Sequence, residues 1–310
     1  MHLKSLSLRA VFLSSDGLRG GWRVMLFAAA AWYLPDALSR AASLFLGYVP
    51  GNGFSPVDIA AYGLSGAVSS LLVAFVLVRI ERRGFSWFGL PWRLQALPPF
   101  FWGLLAGGGM VTALFGVIVL SSHASVDGLA LRGGELRNYL WLWVGAMTLV
   151  GFAEELFYRG YALRALAGSV GFWPAAVVTS VLFGAVHFFL KPMETIADIL
   201  NIIALALFIC FTIRRSGTIW FGIGFHAAFD FFALSLYGAP NTGNNGLPLP
   251  DHILKTHIGG PAWLTGGPQG LEASWLLIPL IIGAAWLFGK YQPVTRYELW
   301  TEHPPVSNTP

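Results

Sequence analysis

Residues 138–163 read NYLWLWVGAMTLVGFAEELFYRGYAL. A helix of about 20 apolar residues crosses a hydrocarbon core, and this stretch is long and apolar enough to do so. Yet it carries Glu154, Glu155 and Arg159. A charge at bilayer depth is costly, so an ionisable residue there points to function by default. On a helix, Glu155 and Arg159 stand one turn apart with the acid first, the favourable order. A structural ion pair accounts for those two. Glu154 is rotated by about 100° from Glu155 and has no such local partner, so it either holds a proton more tightly than usual or finds a partner on another helix.

The rest of the chain is built in the same way. Of its 310 residues, 55% are hydrophobic and 11% charged, where soluble domains average about 25% charged. That predicts an all-α, polytopic integral membrane protein. Apolar runs mark about eight spans, at roughly 24–47, 57–79, 97–121, 138–163, 174–190, 196–213, 217–237 and 272–289. The first is the least clean, holding Pro35, Asp36 and Arg40. Fourteen of the Lys and Arg residues fall at one set of span ends, including Arg79, Arg82, Arg83, Arg214, Arg215 and Lys290. The opposite set holds four: Arg132, Arg137, Lys191 and Lys255. By the positive-inside rule both termini are cytoplasmic, as in a bacterial inner-membrane protein. The same bias explains the net charge of +4 without a nucleic-acid partner. Residues 1–23 read as an amphipathic segment on the cytoplasmic surface, 24–289 as the membrane domain, and 290–310 as a cytoplasmic tail. The connection 238–271, rich in Gly, Pro and Asn, reads as an outer surface loop without a catalytic role. Cys210 is the single cysteine, which excludes an internal disulfide and a Cys-based metal motif.

Other ionisable residues lie inside spans. His187 stands in VLFGAVHFF, one turn after Phe183, and His226 in GIGFHAAFDFF, one turn before Asp230. A lone buried histidine is most often a packing residue, but imidazole and carboxylate on one face can fix a tautomer or build a polar site. Counted from the basic ends at about 1.5 Å per residue, Glu154, His187 and His226 reach depths within about a turn of one another. A shared intramembrane polar site follows, placed nearer the basic side and expected to open there. Glu, His, His and Asp without Ser or Cys suit an activated water. They would equally serve as ligands of Zn²⁺, the metal set then being Glu154, His187, His226 and Asp230. The sequence has no H-E-x-x-H, no G-x-S-x-G and no phosphate-binding loop. A non-enzymatic scaffold and a proton- or metal-coupled transporter are the competing readings.

E-E-x-x-x-R at Glu154–Arg159, F-x-x-x-H at Phe183–His187 and H-x-x-x-D at His226–Asp230 resemble the three signature motifs of one family. It is the CPBP family of CAAX proteases and bacteriocin-processing enzymes, also called Abi or type II CAAX prenyl endopeptidase-like. The motifs cover the core 138–237. The opening D-G-L-R-G-G-W-R is also similar to those of bacterial members. The resemblance implies an eight-helix intramembrane endopeptidase acting on a membrane-associated peptide or protein. In it Glu154 is the base that activates water and His187 positions that water. His226 and the residue four on form the oxyanion side, with Glu155, Arg159 and Phe183 supporting. Family members often carry Asn where this chain has Asp230. An ionised Asp only accepts hydrogen bonds, so the difference suits a metal ligand, an orienter of His226 or an Asp that carries a proton. Both metal-dependent and metal-free mechanisms are described for the family.

Overall fold

The computed structural model describes residues 13–14, 17–47, 51, 54–191 and 193–292. Most of the predicted amphipathic segment 1–23 and of the tail 290–310 lies outside the described residues. Each predicted span coincides with a helix. These are α1 (Gly20–Leu46), α2 (Pro56–Ile80), α3 (Pro98–Leu120) and α4 (Gly133–Glu155). The last runs through a π-helical stretch, Leu156–Ala162, into α5 (Leu163–Val170). Then come α6 (Phe172–Leu190), α7 (Ile196–Ser216) and α8 (Trp220–Asp230), which ends in a second π-helical stretch, Phe231–Leu236. After the short α9 (Ala262–Thr265), α10 (Leu277–Tyr291) closes the fold.

Among the described residues, five helical rods are long and apolar enough to cross a membrane: Pro56–Ile80, Leu94–Leu120, Gly133–Val170, Phe172–Leu190 and Ile196–Ser216. Trp220–Leu236 and Leu277–Tyr291 are apolar but shorter. Large apolar side chains such as Leu105, Leu120, Trp141 and Phe189 project from the bundle, exposed. So much outward apolar surface suits lipid rather than water, and the chain is an integral membrane protein.

Polar contacts gather the helix ends into two groups. At one end Arg23 and Arg83 both reach Glu81 at 3.2 Å, and the Tyr161 hydroxyl donates to the same carboxylate. There too Gly20 N donates to Ser169 Oγ at 3.1 Å, Ile219 N to the Gly89 carbonyl, and the Arg215 guanidinium to the Gly289 and Gln292 carbonyls. This is the basic end. At the far end the Tyr139 hydroxyl donates to the Asp251 carbonyl at 2.7 Å. Asn201 donates to the Glu272 and Ser274 carbonyls, and Gln269 to that of Met193.

The far end also corrects the all-α expectation. A two-residue pair near the N-terminus, β1 (Leu13–Ser14) with β2 (Gly17–Leu18), is minor. But β3 (Ala124–Leu129) and β4 (Leu254–Ile258) form an antiparallel ladder from Ala124↔Ile258 to Leu129↔Leu254, with an irregularity after Val126. Along LKTHI it is burial that alternates, with Lys255 and His257 exposed between half-buried Leu254, Thr256 and Ile258, and the polar Thr256 hides that strand period in the sequence.

The helix that carries His226 is pinned from behind. A methyl group on Gly103 or Gly107 of α3 would run into the backbone carbonyl of Phe221 or Phe225 of α8, and one on Gly224 into that of Phe100. Only glycine permits that backbone approach, the small-residue packing by which helices associate in lipid. The motif helix α8 is thereby fixed against α3 along its back.

Candidate active site

Glu155 sits at the end of α4, fully buried, with Arg159 fully buried 3.2 Å away. The predicted ion pair is present, but it is not isolated. His226 Nδ1 stands 3.0 Å from the same Glu155 oxygen. A carboxylate paired with Arg159 accepts, so His226 donates through Nδ1. Its Nε2 then faces two more carboxylates, Glu154 at 3.7 Å and Asp230 at 3.6 Å. Glu154 thus has its partner on another helix, and Glu155, expected to be structural only, touches the site.

Phe183 contributes in three directions. Its carbonyl accepts from His187 Nδ1 at 2.9 Å, which leaves His187 Nε2 as the free ring nitrogen. Its ring lies 4.3 Å under the Arg159 guanidinium, a cation–π contact, and edge-on to His226 at 6.2 Å. Where the α-helical register would continue from Glu155, the chain widens into the π-helix, and Gly160 leaves helical geometry with φ −77° and ψ −108°. Such bulges are frequent at functional sites.

Glu154, Glu155, His187, His226 and Asp230 all line one cavity of about 330 Å³. Its direction reverses the expectation from the depth count. Of residues 155–165, all but Phe157 are buried, so the wall toward the basic end is closed. The side chains of Glu154, His226 and Asp230 keep 19%, 14% and 23% exposure. The cavity continues instead to Phe54, Lys191, Asn241, Gly243 and Glu272, all at the far end. Counting along each helix from the basic residues measured depth but not which wall is sealed.

Four rim residues, Lys191, Asn241, Gly243 and Glu272, were missed in the sequence. Asn241 and Gly243 belong to the connection that reads as an outer surface loop without a catalytic role. Lys191 falls among the four cations of the less basic span ends in the sequence, although it follows His187 by one helical turn, the same spacing that links the other motif residues. Glu272, ahead of α10, carried no signal. Burial works against the Lys191 charge, but Glu272, Glu154, Glu194 and Asp230 outweigh it and hold the ammonium above the usual lysine value. Burial pushes the Glu272 carboxyl up to about 7, with Lys191 opposing. The folded protein therefore holds the Glu272 proton more tightly than the unfolded chain does. That contribution to stability is full below the ordinary carboxyl value of 4.5, fades as pH rises and is gone above about 7. Melting curves in detergent should show wild type losing stability relative to Glu272→Gln across this window. Parallel curves would show that Glu272 ionises normally.

Among the described residues, no three of His, Cys, Asp and Glu are grouped as a metal's ligands would be. Zinc holds nitrogen and oxygen ligands at about 2.0–2.2 Å, tetrahedrally. Here the Nδ1 atoms of both histidines are committed to protein oxygens. Glu154, His187, His226 and Asp230 are not grouped as such a set, while the Nδ1 hydrogen bonds leave Nε2 of each histidine as the nitrogen a metal would take.

The family model described as type II CAAX prenyl endopeptidase Rce1-like matches residues 136–232. The matched segment holds all three motifs and leaves out α1–α3 and α10. No curated protein and no solved structure matches the chain. Residues 136–232 thus match the family that the motifs resemble, and the match supports a membrane-embedded protease.

Proposed function

We propose that this protein is an intramembrane endopeptidase that hydrolyses a peptide bond of a membrane-associated peptide or protein with a glutamate-activated water. The observation that carries this reading is the division of labour between the two glutamates. Glu155 is fully buried with Oε1 held by Arg159 and His226 Nδ1, whereas Glu154 keeps 19% exposure and, among the described residues, an ion-pair contact of 3.7 Å. A base must reach the water it deprotonates, and Glu154 is the one placed to do so. It takes the proton as the water oxygen attacks the carbonyl carbon, and delivers it to the leaving amine as the carbon–nitrogen bond breaks. His187, donating to Phe183 through Nδ1, offers Nε2 as the acceptor that orients the water.

His226 supplies the oxyanion side through Nε2–H. At 3.6 and 3.7 Å from Asp230 and Glu154 that proton is held by charge rather than by a close hydrogen bond, so it is free to serve a developing oxyanion. Asp230, an acceptor, keeps the proton on Nε2. Of the roles open to it, orienting His226 is the one its position supports.

In this reading the chain crosses a bacterial inner membrane eight times, with both termini cytoplasmic and the bilayer around residues 24–289. The mechanism uses no metal. The test is purified protein in lipid nanodiscs with a library of membrane-anchored peptides, products identified by mass spectrometry. Cleavage is expected and should survive o-phenanthroline and EDTA unchanged. Loss of cleavage with chelator, restored by Zn²⁺, would replace the glutamate mechanism with a metal one. No cleavage of any member would favour the scaffold.

A further inference from the structure

We propose that substrate enters from the end of the bundle opposite the basic one, so that the protease cleaves polypeptide presented in the non-cytoplasmic half of the membrane. The substrate class is a membrane-anchored or translocated segment whose scissile bond lies near the outer face, not a tail displayed in the cytoplasm. This inference rests on the peptidase reading above for its chemistry, but its geometry stands on separate observations.

The first is the closed floor. Below Glu154 the chain from Glu155 to Ala165 is buried except at Phe157. The Glu155–Arg159 pair has no exposure, and Leu156, Tyr161 and Leu163 have none either. A polypeptide arriving from the basic end would have to pass through this plug. The second is the rim. Phe54, Lys191, Asn241, Gly243 and Glu272 come from four separate stretches of chain, and every one belongs to the far end. The rim is also tied together there. The Thr242 hydroxyl donates to Glu194 at 2.7 Å, Lys191 approaches Glu194 at 3.9 Å, and Gly243 packs beside the Phe54 ring.

The third observation is charge. Among the described residues, Arg79, Arg82 and Arg83, Arg214 and Arg215, and Lys290 cluster at the closed end, whereas Arg132, Arg137, Lys191 and Lys255 stand at the far end, with Arg40 inside α1 toward it. The bias of Lys and Arg toward the cytoplasm assigns the closed end to the cytoplasm and the open rim to the outer side. The rim's own charged groups, Lys191, Glu194 and Glu272, then lie where an extended segment from the outer leaflet would first meet the protein.

Cysteine labelling tests this without reference to catalysis. Cys210 is buried and the single cysteine, so Cys210→Ala gives a blank background for the full chain in bacterial cells. Into it go Asn245→Cys on the rim loop, Leu205→Cys on the cavity wall and Arg82→Cys at the basic end. Val150→Cys, nearly isosteric, is the second wall reporter should Leu205→Cys fail to fold. A membrane-impermeant maleimide should label the rim and wall cysteines in intact cells and Arg82→Cys only after permeabilisation. Rim labelling confined to permeabilised cells would overturn the orientation. A wall cysteine in folded protein that labels only from the cytoplasmic side, or from neither side, would overturn the route. Glu154→Gln in the same background should label identically. A protein that labels as expected but never cleaves would refute the peptidase reading and leave the access route standing.

Discussion

Glu154→Gln is expected to yield a folded protein whose cleavage rate falls by about 10²–10⁴-fold, the range of a general base removed from its task. The substitution keeps the shape of the side chain and removes its basicity. Glu154 takes no part in the Arg159 pair, and its contact with His226 is long, at 3.7 Å. Its loss therefore takes little packing with it. A partly buried carboxylate is itself unfavourable in low dielectric, so the melting temperature should hold or rise slightly. The measurement is a pair of curves in one detergent, thermal unfolding and peptide cleavage. A folded Glu154→Gln protein with wild-type turnover would end the general-base assignment.

Glu155→Gln should behave differently, failing on both counts. Arg159 has no exposure, and a buried cation stripped of its partner costs about 3–5 kcal/mol. The same substitution replaces the carboxylate that holds His226 Nδ1 with a neutral amide, whose oxygen accepts without charge assistance, so the ring is held more weakly. Stability and activity should drop together in the single variant, and the double variant Glu155→Gln/Arg159→Met separates the two effects. Removing both charges should recover much of the melting temperature, since neither is then left unpaired. Activity should stay below wild type because His226 is still held only by a neutral amide. A double variant that regains both stability and turnover would reduce Glu155 to a purely structural residue.

Much of this architecture was legible beforehand. Apolar runs located each of the long helices, though not the full α4–α5 rod or the short α9, because lipid demands uninterrupted hydrocarbon and tolerates few substitutes for it. The i and i+4 spacings of Glu155 with Arg159 and His226 with Asp230 correctly put each pair on one face. Contacts between helices were not legible. Nothing in GFAEELFYRG says that His226 will reach Glu155 as well as Glu154, since that depends on how α8 is rotated against α4. Nor does apolarity reveal a π-helix, whose register differs from an α-helix by a single residue. The polar flanks of α4 hid its full reach from Gly133, and the strand pair β3–β4 hid among glycines and prolines. The cavity's direction was lost for a similar reason: depth is a property of one helix, whereas a sealed wall is made by several.

The glycine seam between α3 and α8 bears on how such a protein could be dissected. The matched segment, residues 136–232, contains every motif residue and looks like a transplantable unit. It is not one. The helix that carries His226 and Asp230 is notched into Gly103 and Gly107, which lie outside that segment. A chimera that moves the motif segment onto another set of leading helices would need glycines at those same two heights. Without them the donor's histidine would arrive displaced from the glutamates it is meant to meet.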